Sequence, residues 1–175
     1  MDTTHPSGGS GTYAVITSSA GEIVAELLPG SAPKTVANFV KLANDGFFNN
    51  LVWHRIVKGF VIQTGDPLTK NGDGNRRLWG TGGSNQTVPL EISSLRNDTG
   101  TLGMARAQDP NSGSSHFYIN LADNSFLNGN YTVFGKVISG LDVAKAIGNL
   151  PVDPSDQPLS PTQAMVASVT IRGTP

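Results

Sequence analysis

Apolar and β-branched residues occur along this chain in short runs, each bounded by glycine, proline, asparagine, aspartate or serine. Runs of this length between turn residues are typical of β-strands. A polar turn at 18–21 separates the first two runs, so a hairpin is their simplest interpretation. The pattern predicts strands at residues 13–17, 22–28, 51–57, 60–64, 101–105, 116–120, 133–137 and 164–171.

Two other segments have helical spacing. Between Pro33 and Gly46 the apolar residues recur at intervals of three and four, and we expect Ser31 to cap this helix and Gly46 to end it. A second, short helix is predicted at 141–147, and the Gly- and Asn-rich stretch 66–83 is predicted as a long ordered loop. Many short strands with only two helices favour a mainly β fold, a closed or nearly closed antiparallel barrel whose ends the helices plug.

Length and charge limit the kinds of function. The 175 residues fit one compact domain, predicted at 12–175 after a flexible Ser/Thr/Gly-rich leader at 1–11. A net charge of −1 provides no positive field, so we expect neither nucleic acid nor an anionic membrane as a partner. No apolar run approaches the roughly 18 residues that span a bilayer. The compartment stays open, with the cytoplasm slightly favoured over export followed by removal of a signal.

Several kinds of chemistry are excluded or disfavoured. The chain has no cysteine, which excludes disulfides and thiolate nucleophiles. The histidines lack metal-ligand spacing, so we expect no metal and no cofactor. The adjacent Ser114, Ser115 and His116 invite comparison with serine hydrolases. That interpretation is weak, because a Gly-x-Ser-x-Gly turn is missing and neighbouring strand residues face opposite sides of a sheet.

Two blocks of sequence are far more specific than these patterns. The first is WHRIVKGFVIQTGD, from Trp53 to Asp66. The second comprises GMAR and NSGSSHFYI between residues 103 and 119, followed by FL and VFGKV up to residue 137. In order and spacing both blocks resemble the cyclophilins, a family of peptidyl-prolyl cis-trans isomerases, and the resemblance extends from about residue 13 to residue 171. It implies a closed eight-stranded antiparallel β-barrel capped by two helices.

The resemblance also implies a set of site residues. Arg55 corresponds to the catalytic arginine, with His54, Gln63 and Phe60 as further catalytic residues and His54 in an orienting role. The implied substrate-binding residues are Val61, Met104, Ala105, Arg106, Ala107, His116, Tyr118, Phe126, Leu127, Tyr131 and Gly72.

The chemistry of rotation about an X-Pro bond suits Arg55. The barrier of roughly 18–20 kcal/mol arises from amide resonance, so catalysis breaks no bond. As the bond twists, the prolyl nitrogen gains a lone pair that a positioned donor stabilises, most strongly where water is excluded. Arginine keeps its charge and presents its donors in a fixed plane. The alternative, a strand arginine in a surface ion pair, is disfavoured by the flanking motif.

Some residues depart from the common cyclophilin pattern. His116 stands where glutamine is usual, so we expect activity to fall on acidification through roughly pH 6–7 if the imidazole replaces that amide. Tyr118 replaces phenylalanine, and its hydroxyl needs a partner. Arg106 occupies a position where asparagine is common. Phe126 replaces a tryptophan and Tyr131 a histidine, which we expect to weaken cyclosporin binding more than isomerase activity.

The expected function is therefore isomerisation of X-Pro bonds in peptides and in flexible or unfolded protein segments, assisting protein folding. The alternative is a module that binds proline-containing peptides with little catalysis. The expected partners are these X-Pro segments, with weakened cyclosporin binding, and the chain is expected to act as a monomer.

Overall fold

Nine strands form one antiparallel sheet in the computed structural model, which describes residues 11–175. In chain order they are β1 (Thr12–Ser18), β2 (Gly21–Leu27), β3 (Leu51–Val52), β4 (Arg55–Val57), β5 (Val61–Thr64), β6 (Thr101–Met104), β7 (Phe117–Asn120), β8 (Val133–Ser139) and β9 (Met165–Arg172). Their order in the sheet is β3-β9-β1-β2-β8-β6-β7-β5-β4. All but the last residue of the leader predicted at 1–11 lies outside the described residues.

The sheet must curl strongly, because its two outermost strands are consecutive in the chain. Only Trp53 and His54 separate β3, which pairs with β9, from β4, which pairs with β5. The predicted fold class, mainly β and antiparallel with two α-helices, is confirmed. The strand count is nine rather than eight, because the strand predicted at 51–57 divides as these two residues cross between the sheet edges.

Strand β5 begins at Val61, one residue later than the strand predicted at 60–64. Phe60 lies in a turn, where its backbone N–H donates to the carbonyl of Val57 and the preceding Gly59 has a φ of 70°. Glycine tolerates this left-handed conformation without the steric cost of a Cβ. The turn returns the chain antiparallel to β4, so that Arg55 pairs directly with Gln63.

Two α-helices, α1 (Pro33–Asn44) and α2 (Leu141–Gly148), accompany the sheet. The predicted Ser31 cap is wrong, since Ala32 occupies the capping position and has no side chain that can bond. Instead the carboxylate of Glu91 accepts hydrogen bonds from the backbone N–H groups of Lys34 and Thr35, at 3.1 and 2.7 Å. A carboxylate there satisfies free N–H groups and complements the helix dipole. Gly46 follows the helix with a φ of 72°, as expected for its end.

The core is rich in phenylalanine. Phe39 of α1 lies 5.2 Å from both Phe48 and Phe117 and 5.3 Å from Phe134, measured between ring centroids. Tilted and edge-on arrangements of this kind are the favoured geometry for aromatic pairs. This cluster packs α1 against the sheet and contacts β7 on the face that carries Phe117. The opposite side of β7 thus remains free for Tyr118 to face the site described below.

Within residues 11–175, none of the helices combines the length and the apolar character that a membrane span requires.

Candidate active site

Two adjoining pockets form a groove beside β4, β5 and β7. The main pocket has a volume of about 390 Å³ and the side pocket about 360 Å³. Four residues line both of them: Gln63, Gly80, Ala105 and Arg106. The main pocket is completed by His54, Arg55, Phe60, Val61, Tyr118, Leu127 and Tyr131. The side pocket is completed by Thr81, Gly82, Gly83, Ala107, Ser112, Ser114 and His116.

The guanidinium of Arg55 lies at the edge of the apolar part of the main pocket. Its Cζ atom is 5.8 Å from the centroid of the Phe60 ring, within the range of a cation–π contact. The side chain is exposed and makes no ion pair with any residue in 11–175. Its donors are therefore available to a bound molecule, while pairing of β4 with β5 fixes the backbone that carries it.

A chain of hydrogen bonds fixes the side chain of His116 and links it to Gln63. The Nε2 atom of His116 lies 2.6 Å from the carbonyl oxygen of Gly82. A carbonyl only accepts, so Nε2 carries the proton and Nδ1 is left as an acceptor. The amide Nε2 of Gln63 lies 3.4 Å from that Nδ1 and donates to it. This arrangement directs the carbonyl oxygen of Gln63 away from His116.

The two histidines of the site are neutral at pH 7. Burial, and to a smaller extent the nearby His116, lowers the pKa of His54 to about 4 against an opposing effect of Asp66. Burial also lowers the pKa of His116, again opposed by Asp66. Their rings pack edge to face with centroids 5.1 Å apart. The Nδ1 atom of His54 is buried without a hydrogen-bond partner in the part of the chain that the structure describes.

Tyr118 forms the floor of the main pocket, and its hydroxyl makes a hydrogen bond. It donates to Oδ1 of the fully buried Asn97 at 2.7 Å. Burial raises the pKa of Tyr118, so the phenol stays protonated. The same Asn97 oxygen accepts from Asn120, which in turn accepts from Asn124 at 2.8 Å. Asn124 also donates to the carbonyl of Phe60 at 3.0 Å, so one buried amide network joins the floor of the pocket to its wall.

Comparison with known proteins identifies the family. The family model for cyclophilin type peptidyl-prolyl cis-trans isomerases matches residues 12–170. The chain belongs to this family. The resemblance noted in the two sequence blocks is thereby confirmed. Residues from both blocks line the groove.

Individual proteins similar to this chain are consistent with this family assignment. A probable peptidyl-prolyl cis-trans isomerase of Brucella suis is 46% identical over 130 residues, which cover 73% of this chain and 66% of that protein, just under two thirds of its length. A peptidyl-prolyl cis-trans isomerase of Schizosaccharomyces pombe is 41% identical over 151 residues, covering 85% and 93%. A Cryptosporidium parvum cyclophilin type isomerase, crystallised in the presence of the dipeptide Ala-Pro, has a TM-score of 0.81 at 31% identity, covering 91% of this chain and 98% of that one.

Most of the cyclophilin site residues expected from the sequence meet in the groove. Three of them do not line either pocket. Met104 is buried in the hydrophobic core. Phe126 lies outside the groove, 66% exposed, with its ring stacked on that of Phe60 at 5.6 Å between centroids. Gly72 lies elsewhere: it ends a 3-10 segment, and a Cβ added to it would contact Pro161. Residues 80–83 line the side pocket instead.

Sequence reasoning missed this glycine-rich segment as part of the cyclophilin groove. Asp66 holds it in place, because its buried carboxylate accepts from the backbone N–H groups of Gly80 and Gly82 and from that of Leu68. A Cβ at position 82 would overlap the Asp66 carboxylate. The available signal was an Asp followed by closely spaced glycines, which is typical of backbone approaching a carboxylate.

No group of three or more His, Asp or Glu side chains within residues 11–175 is arranged to hold a metal ion.

Proposed function

We propose that this chain catalyses cis–trans isomerisation of X-Pro bonds, with Arg55 as the catalytic side chain. The observation that carries the proposal is a permanently charged guanidinium, free of carboxylate partners among the described residues, at the edge of an apolar pocket. A proline ring fits a pocket bounded by Phe60, Leu127 and the ring of Tyr118. The guanidinium then faces the prolyl nitrogen, where it stabilises the lone pair that develops as the amide twists.

The other groove residues have supporting roles in this proposal. Gln63 presents its carbonyl and remaining N–H to the substrate backbone, because one N–H is occupied by His116. His54 is buried and neutral, so it orients neighbouring groups and transfers no proton. The half-buried Ala105 and the exposed Ala107 border the groove, where they can contact a peptide bound in extended form. The Ala-Pro dipeptide present with the Cryptosporidium parvum relative supports proline-containing peptides as the ligand class.

A peptide assay tests the proposal directly. A protease that cleaves only the trans form of a short Xaa-Pro peptide, present in excess, reports the rate of isomerisation. The chain should accelerate the reaction well above the uncatalysed rate, which has a time constant of tens of seconds or longer. Binding of the peptide without acceleration would favour the alternative of a catalytically weak binding module.

The pH dependence of activity should depend on His116. Protonation adds an N–H at Nδ1, which then faces the amide N–H of Gln63, so Gln63 must rotate its amide and present different groups to the substrate. Because burial lowers the pKa of His116, the midpoint of the loss should lie below 6.5, toward the acid side of the pH 6–7 range expected from the sequence alone. We expect kcat/KM to be flat from pH 8 to about 6.5, the ordinary imidazole pKa, and to fall several-fold below it.

The matched variant is His116→Gln, which should flatten this acid limb while retaining turnover. His54 titrates near pH 4 and so gives a separate, lower limb. Its lowered pKa also destabilises the fold as the pH falls below the unfolded-state value near 6.5, since the unfolded chain then binds the proton more readily. Circular dichroism at each pH must therefore show a folded protein. An unchanged limb in His116→Gln would identify His116 as a passive wall residue.

Cyclosporin binding should depend on the residue at the outer rim. Phe126 presents an exposed ring stacked on Phe60, and tryptophan at this position adds apolar area and an N–H donor. We expect Phe126→Trp to bind cyclosporin more tightly than the native chain in a calorimetric titration. Equal affinities for the two proteins would show that this rim position does not control binding of the drug.

A further inference from the structure

The side chains that line the two pockets carry charge of only one sign. Arg55 and Arg106 are the permanently charged residues in the lining, and neither pocket is lined by aspartate or glutamate. His54 and His116 are neutral at pH 7 because burial lowers the pKa of each. The net charge of the whole chain is −1, so this positive character belongs to the groove and not to the protein as a whole.

Arg106 is held rigidly at the junction of the two pockets. Its Nε donates to the carbonyl of Asn130 at 2.9 Å and its Nη1 to the carbonyl of Ala107 at 3.0 Å. Its Cζ atom lies 4.7 Å from the centroid of the Tyr131 ring. Its Nη2 makes no hydrogen bond to any residue in 11–175, so this nitrogen keeps its donors for a ligand. Folding has already ordered this side chain, so a ligand that binds it causes little further loss of side-chain entropy.

Two acidic residues close to the groove, Asp66 and Asp109, do not neutralise Arg106. No carboxylate in the described chain lies within 4 Å of its guanidinium nitrogens. Asp66 is fully buried and its carboxylate is occupied by the backbone N–H groups of Leu68, Gly80 and Gly82. Asp109, in the same loop as Arg106, uses Oδ1 to accept from the N–H of Asn111. Asp66 reduces the positive field without offering an oxygen to Arg106.

We propose that Arg106 is a specificity-determining residue that favours X-Pro segments carrying an acidic side chain within two residues of the proline. The inference rests on the proposed isomerase function. A peptide whose proline occupies the main pocket and whose chain continues toward the side pocket must pass Arg106, which lines both. A carboxylate at that point gains a charge-assisted hydrogen bond to a guanidinium that is already fixed in place. Neutral side chains gain no such bond.

Paired peptides test this preference. In each pair, glutamate and glutamine alternate at one of the two positions before or the two positions after the proline. The measured quantity is the ratio of kcat/KM for the Glu peptide to that for the Gln peptide, with the coupling protease in excess. For the native chain we expect a ratio of about three to five at one or more positions, the size of a partly exposed ion pair. The ratio should decrease as salt is added, because salt screens exposed charges.

Arginine variants assign the preference to a residue. Arg106→Gln should reduce the ratio to about one, and Arg106→Lys should retain part of it because the charge remains. The matched control is Arg77→Gln, which removes the same charge from an exposed residue that lines neither pocket. That control should keep the native ratio.

The outcomes separate this inference from the proposed function. If the native chain accelerates neither peptide of any pair, the proposed isomerase activity itself fails. If it turns over the Gln peptides but the ratio is one at all four positions, only the acidic preference is overturned. A preference that persists in Arg106→Gln, or that Arg77→Gln abolishes equally, overturns the assignment to Arg106.

Discussion

Replacing Arg55 by alanine should lower kcat/KM by about 100-fold or more, equivalent to roughly 3 kcal/mol of lost transition-state stabilisation. The fold should persist, because the side chain is exposed and β4 is held by backbone pairing with β5. Among the described residues, Arg106 is the only other permanent cation that lines the main pocket. It is fixed by its hydrogen bond to Asn130 and so does not replace Arg55, which is why we expect a large effect. The protease-coupled peptide assay measures the change, with circular dichroism as the check on folding.

Two further variants sharpen this test. Arg55→Lys should recover little activity, because a lysine ammonium lacks the planar fork that two-point donation requires. Lys58→Ala removes an exposed cation from the adjacent turn and changes the net charge by the same amount. It should leave kcat/KM within about twofold of the native value, since a surface charge outside the groove contributes little. Unchanged turnover in a folded Arg55→Ala protein would remove Arg55 from the centre of the proposed mechanism.

The proposed catalytic residues could be placed together from the sequence because they are close together in the chain. Arg55, Phe60 and Gln63 lie on two consecutive short strands and the turn between them, and antiparallel pairing places Arg55 opposite Gln63. Such a local arrangement follows from a strand, a glycine turn and a second strand. The strand period then decides which side chains share a face.

The parts that the sequence did not predict depend on contacts between distant residues. Ser31 has the right chemistry for a helix cap, but Glu91, more than fifty positions away, satisfies the first turn of α1 instead. The side-pocket wall at Gly80 and Gly82 exists because Asp66 is buried beneath it and binds both N–H groups. Strand or helix periodicity predicts neither contact, because each joins segments that meet only in the folded chain.

The hydroxyl of Tyr118 shows both what the sequence predicts and what it does not. Its replacement of phenylalanine predicts that a hydrogen-bond partner must exist, since a buried phenol without one is costly. The sequence does not say that the partner is Asn97, 21 residues earlier and fully buried. It also does not say that the ring requires Gly103, its cross-strand neighbour on β6, to lack a side chain.

Replacing Gly103 by alanine should therefore damage both stability and activity. A Cβ at this position would overlap Cζ and Oη of the Tyr118 ring, which is 4% exposed and packed against Tyr131. The ring must move, and the hydrogen bond to Asn97 is then lost in a buried setting. Overpacking and one lost buried hydrogen bond together should lower the free energy of unfolding by about 2–4 kcal/mol. Because Tyr118 is the floor of the main pocket, kcat/KM should fall by about tenfold or more, a loss of roughly 1.4 kcal/mol in transition-state stabilisation.

Urea denaturation and the peptide assay measure the two effects, and the chain offers a matched control. A Cβ at the exposed Gly30 meets no atom within 4 Å, so Gly30→Ala should change the free energy of unfolding by less than about 1 kcal/mol and leave activity intact. In the double variant Gly103→Ala/Tyr118→Leu the aromatic ring is absent, so its destabilisation should be smaller than the sum of the two single effects. If Gly103→Ala is as mild as Gly30→Ala, or if the two substitutions at the pocket are additive, then the close packing of Tyr118 on Gly103 does not determine the shape of the groove.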